Sequence, residues 1–126
     1  MKTSETGQQG EQIAADFLKN NGYSILEMNF KNNSGRRLGE IDIISKDKNG
    51  ELVFVEVKTR EYQKYKDSLP EENITRDKLH KLSKIASAYL YQNNLKDANY
   101  RFDAISVWLD FETRLAKVKH IKNMFL

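Results

Sequence analysis

The run Leu52-Val53-Phe54-Val55-Glu56-Val57 constrains this chain more than any other stretch of it. With one polar member, bounded by Gly50 before it and by Lys58 and Arg60 after it, it reads as a strand covered on both faces and therefore as the centre of a sheet. A period of two sets Val53, Val55 and Val57 on one face and Phe54, Glu56 and Lys58 on the other. A carboxylate inside such a run is costly without partners. Glu56 and Lys58 are therefore either an ion pair at a strand end or part of a site.

The flanking segments build out the sheet. A helix is expected from near Ser4 to Asn20, capped by Ser4 or Thr6 and stopped by Gly22. Its apolar stripe is Ile13, Ala14, Phe17 and Leu18, with Gly7 and Gly10 on the same side to let another backbone come close. Glu11 falls at the edge of that stripe and points toward whatever the helix packs on. Tyr23–Phe30 and Leu38–Ser45 read as strands, separated by the loop Lys31–Arg37, which carries Arg36 and Arg37. The turn Asp47-Lys48-Asn49-Gly50, with its Asn-Gly hairpin signal, leads into the central strand Glu51–Arg60.

Residues 61–76 are polar, hold the one proline and read as a long loop in which Tyr62 and Tyr65 interleave with Lys64 and Lys66. That pattern suits either contact with nucleic acid or a mobile polar surface. Thr75 then caps a helix to about Tyr91 with the stripe Leu79, Leu82, Ile85, Ala86 and Tyr89. Arg101–Leu109 and Leu115–Ile121 complete the set as a hairpin. The connection through the second helix is long enough to make the strands either side of it parallel. The order α-β-β-β-α-β-β predicts one α/β domain over residues 1–126, a central mixed sheet flanked by helices.

Composition narrows the chemistry. The 126 residues include no cysteine, which excludes disulfides and thiolate zinc sites. His80 and His120 have no ligand spacing between them and are expected at the surface. No apolar run approaches bilayer length, and the first residues lack the hydrophobic stretch of a secretory signal, so a soluble cytoplasmic protein without a membrane partner is expected. A net charge of +3 and pI near 9.0 are compatible with a polyanionic partner without demanding one. Arg114, Lys117, Lys119 and Lys122 lie in a stretch free of acids, which suits a solvated face equally well.

If the Asn-Gly turn pairs the two strands, Asp42 lies beside Glu56 on one face, with Glu40 as its same-face neighbour and Ile41 and Ile43 on the other. Carboxylates this close repel unless a cation lies between them. Oxygen ligands with room left for water and phosphate suit Mg²⁺ or Mn²⁺, and Lys58 could then orient or deprotonate a water or neutralise a phosphoryl transition state. The residues leave the lysine's role open.

Gly39-Glu40-Ile41-Asp42 followed by Glu56-Val57-Lys58 resembles the D…(D/E)xK signature of the restriction-endonuclease-like nucleases, and Glu11 matches the extra acid of the archaeal Holliday-junction resolvases. More closely, the chain resembles the YraN family of small bacterial predicted endonucleases (uncharacterised protein family 0102). The matching residues are Gly7…Gly10-Glu11…Ala14-Ala15…Phe17-Leu18, Gly22-Tyr23-Ile25-Leu26…Asn29, Gly39 to Ile44, Leu52 to Arg60, Lys78, Leu82, Ala86, Tyr89-Leu90 and Arg101-Phe102-Asp103.

The resemblance implies a restriction-endonuclease-like three-layer fold. It implies catalytic Asp42, Glu56 and Lys58, and metal held by Glu11, Asp42, Glu56 and the Val57 backbone carbonyl. Glu40, Lys78 and Asp103 would support the site, Asp103 as a partner of Arg101. Arg36, Arg37, Arg60 and Lys78 would contact nucleic acid, although Lys78 could instead cover apolar surface. The expected activity is Mg²⁺- or Mn²⁺-dependent cleavage of DNA, branched DNA included, by a homodimer that cuts two strands. A nucleic-acid-binding module with an idle site is the alternative, and a protein-interaction adaptor the third reading.

Overall fold

The computed structural model describes residues 5–32, 36, 38–65 and 74–124. In chain order the elements are α1 (Glu5–Asn20), β1 (Ser24–Lys31), β2 (Glu40–Lys46), β3 (Leu52–Glu61), α2 (Tyr62–Tyr65), α3 (Arg76–Gln92), β4 (Tyr100–Asp110) and β5 (Leu115–Ile121). They form an α/β architecture: a five-stranded mixed sheet in the order β1-β2-β3-β4-β5, flanked by helices in the three-layer arrangement expected. β3 is the central strand and pairs parallel with β4, while the other neighbours are antiparallel.

Two apolar clusters lie on the two faces of that sheet. Ala14, Ala15 and Leu18 of α1 pack on Ile43, Val53, Val55, Val57, Ile105, Val107 and Leu109. Leu79, Leu82, Ile85, Ala86, Tyr89 and Leu90 of α3 pack on Leu52, Phe54, Phe102 and Ala104. Fully burying each such aliphatic or aromatic side chain contributes about 1.5–3 kcal/mol, so β3, buried on both faces from Leu52 to Val57, is the main apolar anchor.

Local chemistry sets the element ends. Gly22, at φ 89, ends α1: its N–H donates to the Lys19 carbonyl and the Tyr23 N–H to the Leu18 carbonyl. Thr6 lies inside α1 rather than ahead of it, and Ser4 falls outside the described residues. Thr75 caps α3 as expected, its hydroxyl accepting from the Lys78 N–H at 3.2 Å. Within the stretch expected to be loop, Tyr62–Tyr65 form a short helix against β3 and β4; Lys66 and Pro70 fall outside the described residues.

β1 and β2 depart from simple alternation. Met28 pairs with Ile43 and Phe30 with Ile41. Yet Met28 and Ile43 belong to the cluster under α1, whereas Phe30 and Ile41 belong to the cluster under α3. Both strands change face between these pairs, at Asn29, which has φ 54, and at Asp42. Ile41 and Ile43 therefore do not share a face as the two-residue period predicts.

At the start of β4, Arg101 ties the β2–β3 turn and the α1–β1 turn to its own strand. Its guanidinium donates to Asp47, Glu51, Asp103 and the Tyr23 hydroxyl at 2.9–3.3 Å. Asp103, 1% exposed, also accepts from the Asn123 N–H at 2.9 Å and is hydrogen-bonded to His120 Nε2 at 2.8 Å. His120 is thus packed into the fold and not at the surface as expected, with its ring edge-on to Phe17 and Tyr23; His80 is exposed. Of the C-terminal basic residues, Lys117 lies 5.1 Å from the centre of the buried Trp108 ring. No helix among the described residues is long and apolar enough to cross a membrane.

Candidate functional site

A cleft of about 450 Å³ opens where α1, β2, β3 and the first turn of α3 converge. Its lining includes Glu11, Lys31, Glu40, Asp42, Glu56, Val57, Lys58, Arg60 and Lys78. Residues scattered from 11 to 78 in the sequence therefore share one concavity, as the periodicity of β3 and the stripe of α1 anticipated. Asp103 is not among them: it lies with Arg101 in the network described above. Arg36 is exposed and also stands apart from the cleft lining, its carbonyl accepting from Asn32 Nδ2 at 2.8 Å. Arg37 falls outside the described residues.

The approach of α1 depends on Gly10. A Cβ there would coincide with Thr59 Oγ1, so only glycine lets the helix rest on β3 at this point. The next residue, Glu11, is thereby brought to the end of the sheet. Carboxylate oxygens of Glu11, Glu40 and Asp42 lie within 4.8 Å of one another. The amide of Asn29 joins two of them, donating to Glu11 Oε1 at 2.9 Å and to Glu40 Oε1 at 3.1 Å. Lys31 approaches Glu40 at 3.8 Å.

Asp42 stands where the β2–β3 ladder gives way. The pairing runs from Lys46↔Leu52 to Ile43↔Val55, and beyond it the Val57 N–H donates to Asp42 Oδ2 at 2.8 Å. Asp42 is 9% exposed and Glu56 7%. Burial pushes the Asp42 carboxyl up, the adjacent Glu56 carboxylate pushes it further and the Val57 N–H only partly offsets both, leaving it at about 9. Glu11 is also raised, by burial first, with the Asn29 amide pulling the other way and Glu40 and Glu56 adding repulsion. Three acids held this close, one of them retaining its proton at neutral pH, make a hard-oxygen set that a divalent cation would relieve. The donor set therefore fits a metal ion.

Glu56 faces two lysines. Lys78 Nζ lies 2.8 Å from Glu56 Oε2 and Lys58 Nζ 3.7 Å from the same oxygen. The two ammonium groups diverge in character. Burial and the neighbouring Lys78 lower the Lys58 pKa, while for Lys78 the effect of burial is outweighed by its hydrogen bond to Glu56, and its pKa is raised. One lysine thus gives up its proton more readily than an ordinary lysine, beside another that holds its proton more tightly.

Sequence reasoning gave Glu40 only a supporting place, where the structure sets its carboxylate within 4.8 Å of those of Glu11 and Asp42, and gave Asn29 no role. The available signal for Asn29 was its residue type, since asparagine is among the few residues besides glycine that enter the left-handed region readily.

A family model described as "Uncharacterised protein family UPF0102" matches residues 10–107, a span that holds the whole cleft lining except Thr6 and Gly7. The chain is 47% identical over 122 residues to a UPF0102 protein of Clostridium botulinum, covering 96% of this chain and 94% of that one. It is 46% identical over 120 residues to one of Caldanaerobacter subterraneus, covering 94% and 93%. It is 44% identical over 119 residues to one of Trichlorobacter lovleyi, covering 94% and 88%. These matches take in nearly the full length of both partners, so they concern the whole fold and not a shared fragment.

Proposed function

We propose that this chain, which belongs to uncharacterised protein family UPF0102, is a metal-dependent nuclease of the restriction-endonuclease-like kind that hydrolyses phosphodiester bonds in DNA. The observation that carries this reading is the pairing of Lys58 and Lys78 on Glu56 beside the Glu11–Glu40–Asp42 group.

Glu11, Glu40 and Asp42 would hold the ion, joined on the family resemblance by Glu56 and the Val57 carbonyl. A bound Mg²⁺ or Mn²⁺ supplies Lewis-acid neutralisation of the charge that builds on the phosphoryl oxygens. The chain's own side chains supply the rest. Lys58, with its lowered pKa, holds the attacking water and takes its proton at Nζ as the water oxygen bonds to phosphorus and the bond to the leaving sugar oxygen breaks. Lys78 stays charged and offsets the charge of Glu56 and of the phosphate. Arg60, at the rim of the cleft, contacts a flanking phosphate.

The test is cleavage of labelled single-stranded, duplex, flap and four-way-junction DNA, and of RNA, in Mg²⁺, Mn²⁺ or EDTA. Glu56→Ala and Lys58→Ala proteins are assayed alongside. Metal-dependent cutting lost in both variants supports the reading, and the preferred substrate names its class. Cutting that survives both substitutions means a contaminating nuclease. Tight binding of one DNA structure without any cutting, indifferent to metal and to Glu56→Ala, would replace the enzyme with a binding module.

A further inference from the structure

We infer that Asn29 is the positioning residue of the acidic group: its left-handed backbone and its side-chain amide together set Glu11 and Glu40 at the spacing that receives the metal. The inference rests on reading the cleft as a metal site, and it adds a residue that neither the signature motif nor that reading includes.

Three observations converge on this residue. The first is conformational. Asn29 has φ 54 in the middle of a strand, where the neighbouring residues are extended. Apart from glycine, few residues enter this region at low cost, and asparagine is the chief of them. The second is chemical. A side-chain amide carries two N–H donors on one nitrogen. Asn29 spends them on carboxylates from two different elements, Glu11 of α1 and Glu40 of β2, at 2.9 Å and 3.1 Å. Both bonds use Oε1, and the same two residues are the partners of Asp42 in the acid group.

The third observation is topological. The Met28↔Ile43 pair packs under α1 and the Phe30↔Ile41 pair under α3, so the change of face falls on Asn29 and Asp42, the positions between them. The turn that carries Asp42 into the cleft and the turn that carries the Asn29 amide there are one distortion of the paired strands. Other residues meet only part of the demand. Glycine accepts the backbone and offers no donor. Aspartate accepts the backbone but brings a fourth carboxylate to a group that already repels itself. Alanine or leucine offers neither.

Asn29 touches no reacting atom in this arrangement; it acts through Glu11 and Glu40. Partners that orient metal ligands typically govern affinity by 10–100-fold. The experiment is calorimetric titration of Mn²⁺ into the full-length protein and its Asn29→Gly and Asn29→Ala variants, with thermal unfolding of each metal-free protein alongside. Asn29→Gly keeps the backbone conformation and removes the donors. It is expected to weaken Mn²⁺ binding by roughly tenfold or more while the metal-free melting temperature stays near that of the parent. Asn29→Ala is expected to lose the same affinity and to melt lower as well, because it adds strain at φ 54.

A second measurement needs no variant: the Asn29 side-chain amide resonances, followed by NMR, should move with Mg²⁺ at the same midpoint as the calorimetric curve. An Asn29→Gly protein that binds Mn²⁺ within twofold of the parent, or amide resonances unmoved by Mg²⁺, overturns the assignment. A parent protein that binds no Mn²⁺ overturns it together with the metal reading. If the parent binds Mn²⁺ and cuts no nucleic acid, the nuclease proposal falls and the affinity comparison still decides the role of Asn29.

Discussion

The Lys78 ammonium, projected from the first turn of α3, lies 2.8 Å from the Glu56 carboxylate of β3, and this places its charge beside a third residue, Lys58. Lys58 shares the same carboxylate oxygen at 3.7 Å, and its lowered pKa owes part of its depression to the charge on Lys78. Lys78→Met removes that charge. The Lys58 pKa should then rise, so the alkaline-going limb of the pH–rate profile should move to higher pH and activity at pH 7 should drop by roughly tenfold or more. Lys58→Met should abolish the limb altogether. A profile that keeps its midpoint in Lys78→Met would show that Lys58 is not the group that titrates.

Asp42 makes the metal-free protein sensitive to alkali. Below the ordinary aspartate range both the folded and the unfolded chain hold this proton. As the pH climbs from about 4 to about 9 the unfolded chain releases it while the folded chain keeps it, so folding stability falls across that window. Asp42→Asn removes the titration, and its amide can still accept from Val57 and donate to Glu56. The metal-free variant should melt higher than the parent at pH 8, by an amount reflecting roughly 1–3 kcal/mol, and the gap should close toward pH 4. In the parent, Mn²⁺ binding at neutral pH should release about one proton, read from the dependence of the calorimetric enthalpy on buffer, and Asp42→Asn should release none.

A side chain at Gly10 should push α1 off β3. Alanine there would gain about 1 kcal/mol of helix propensity but place its Cβ on Thr59 Oγ1, and overpacking of this kind costs about 1–3 kcal/mol. The expected net effect is a modest loss of stability with a larger loss of Mn²⁺ affinity, since a helix pushed off β3 takes Glu11 with it. Denaturation midpoints and calorimetry on one preparation separate the two effects; unchanged affinity would detach Glu11 from the metal.

Arg101→Met should destabilise the protein without touching the cleft. It leaves the buried Asp103 carboxylate without its guanidinium, a loss on the order of 3 kcal/mol, or roughly 10 °C in melting temperature. The acid limb should change too. Burial alone would raise Asp103, but His120, Arg101 and the Asn123 N–H hold it below the usual aspartate range. Its contribution is present above that range and is lost as pH falls through the lower, folded value. In the variant the acid transition should begin at higher pH, with Mn²⁺ affinity at pH 7 unchanged.

Much of this was legible from residue order. β3 announced itself as the buried centre, the two-residue period placed Glu56 and Lys58 together, and the stripe of α1 aimed Glu11 inward. Those inferences work while the backbone keeps one repeating conformation. They fail at Asn29 and Asp42, where the period breaks and Ile41 and Ile43 part company. The place of Glu40 beside Glu11 and Asp42 follows from that break and could not be counted out along the strand. His120 eluded the reading for a different reason: its partner, Asp103, is 17 residues away and meets it only once β4 and β5 pair. The short α2 has too few residues to show a helical period.

The change of face at Asn29 also bears on how the chain assembles. An ordinary pair of strands can slip by two residues and still keep its apolar side chains on one face. This one cannot. Any misalignment of β1 on β2 strands Met28 or Phe30 on the wrong side of its cluster and parts the left-handed residue from the position opposite Asp42. The same asparagine that would serve a metal in the finished protein thus also marks the one alignment of β1 on β2 that sorts Met28 and Phe30 correctly.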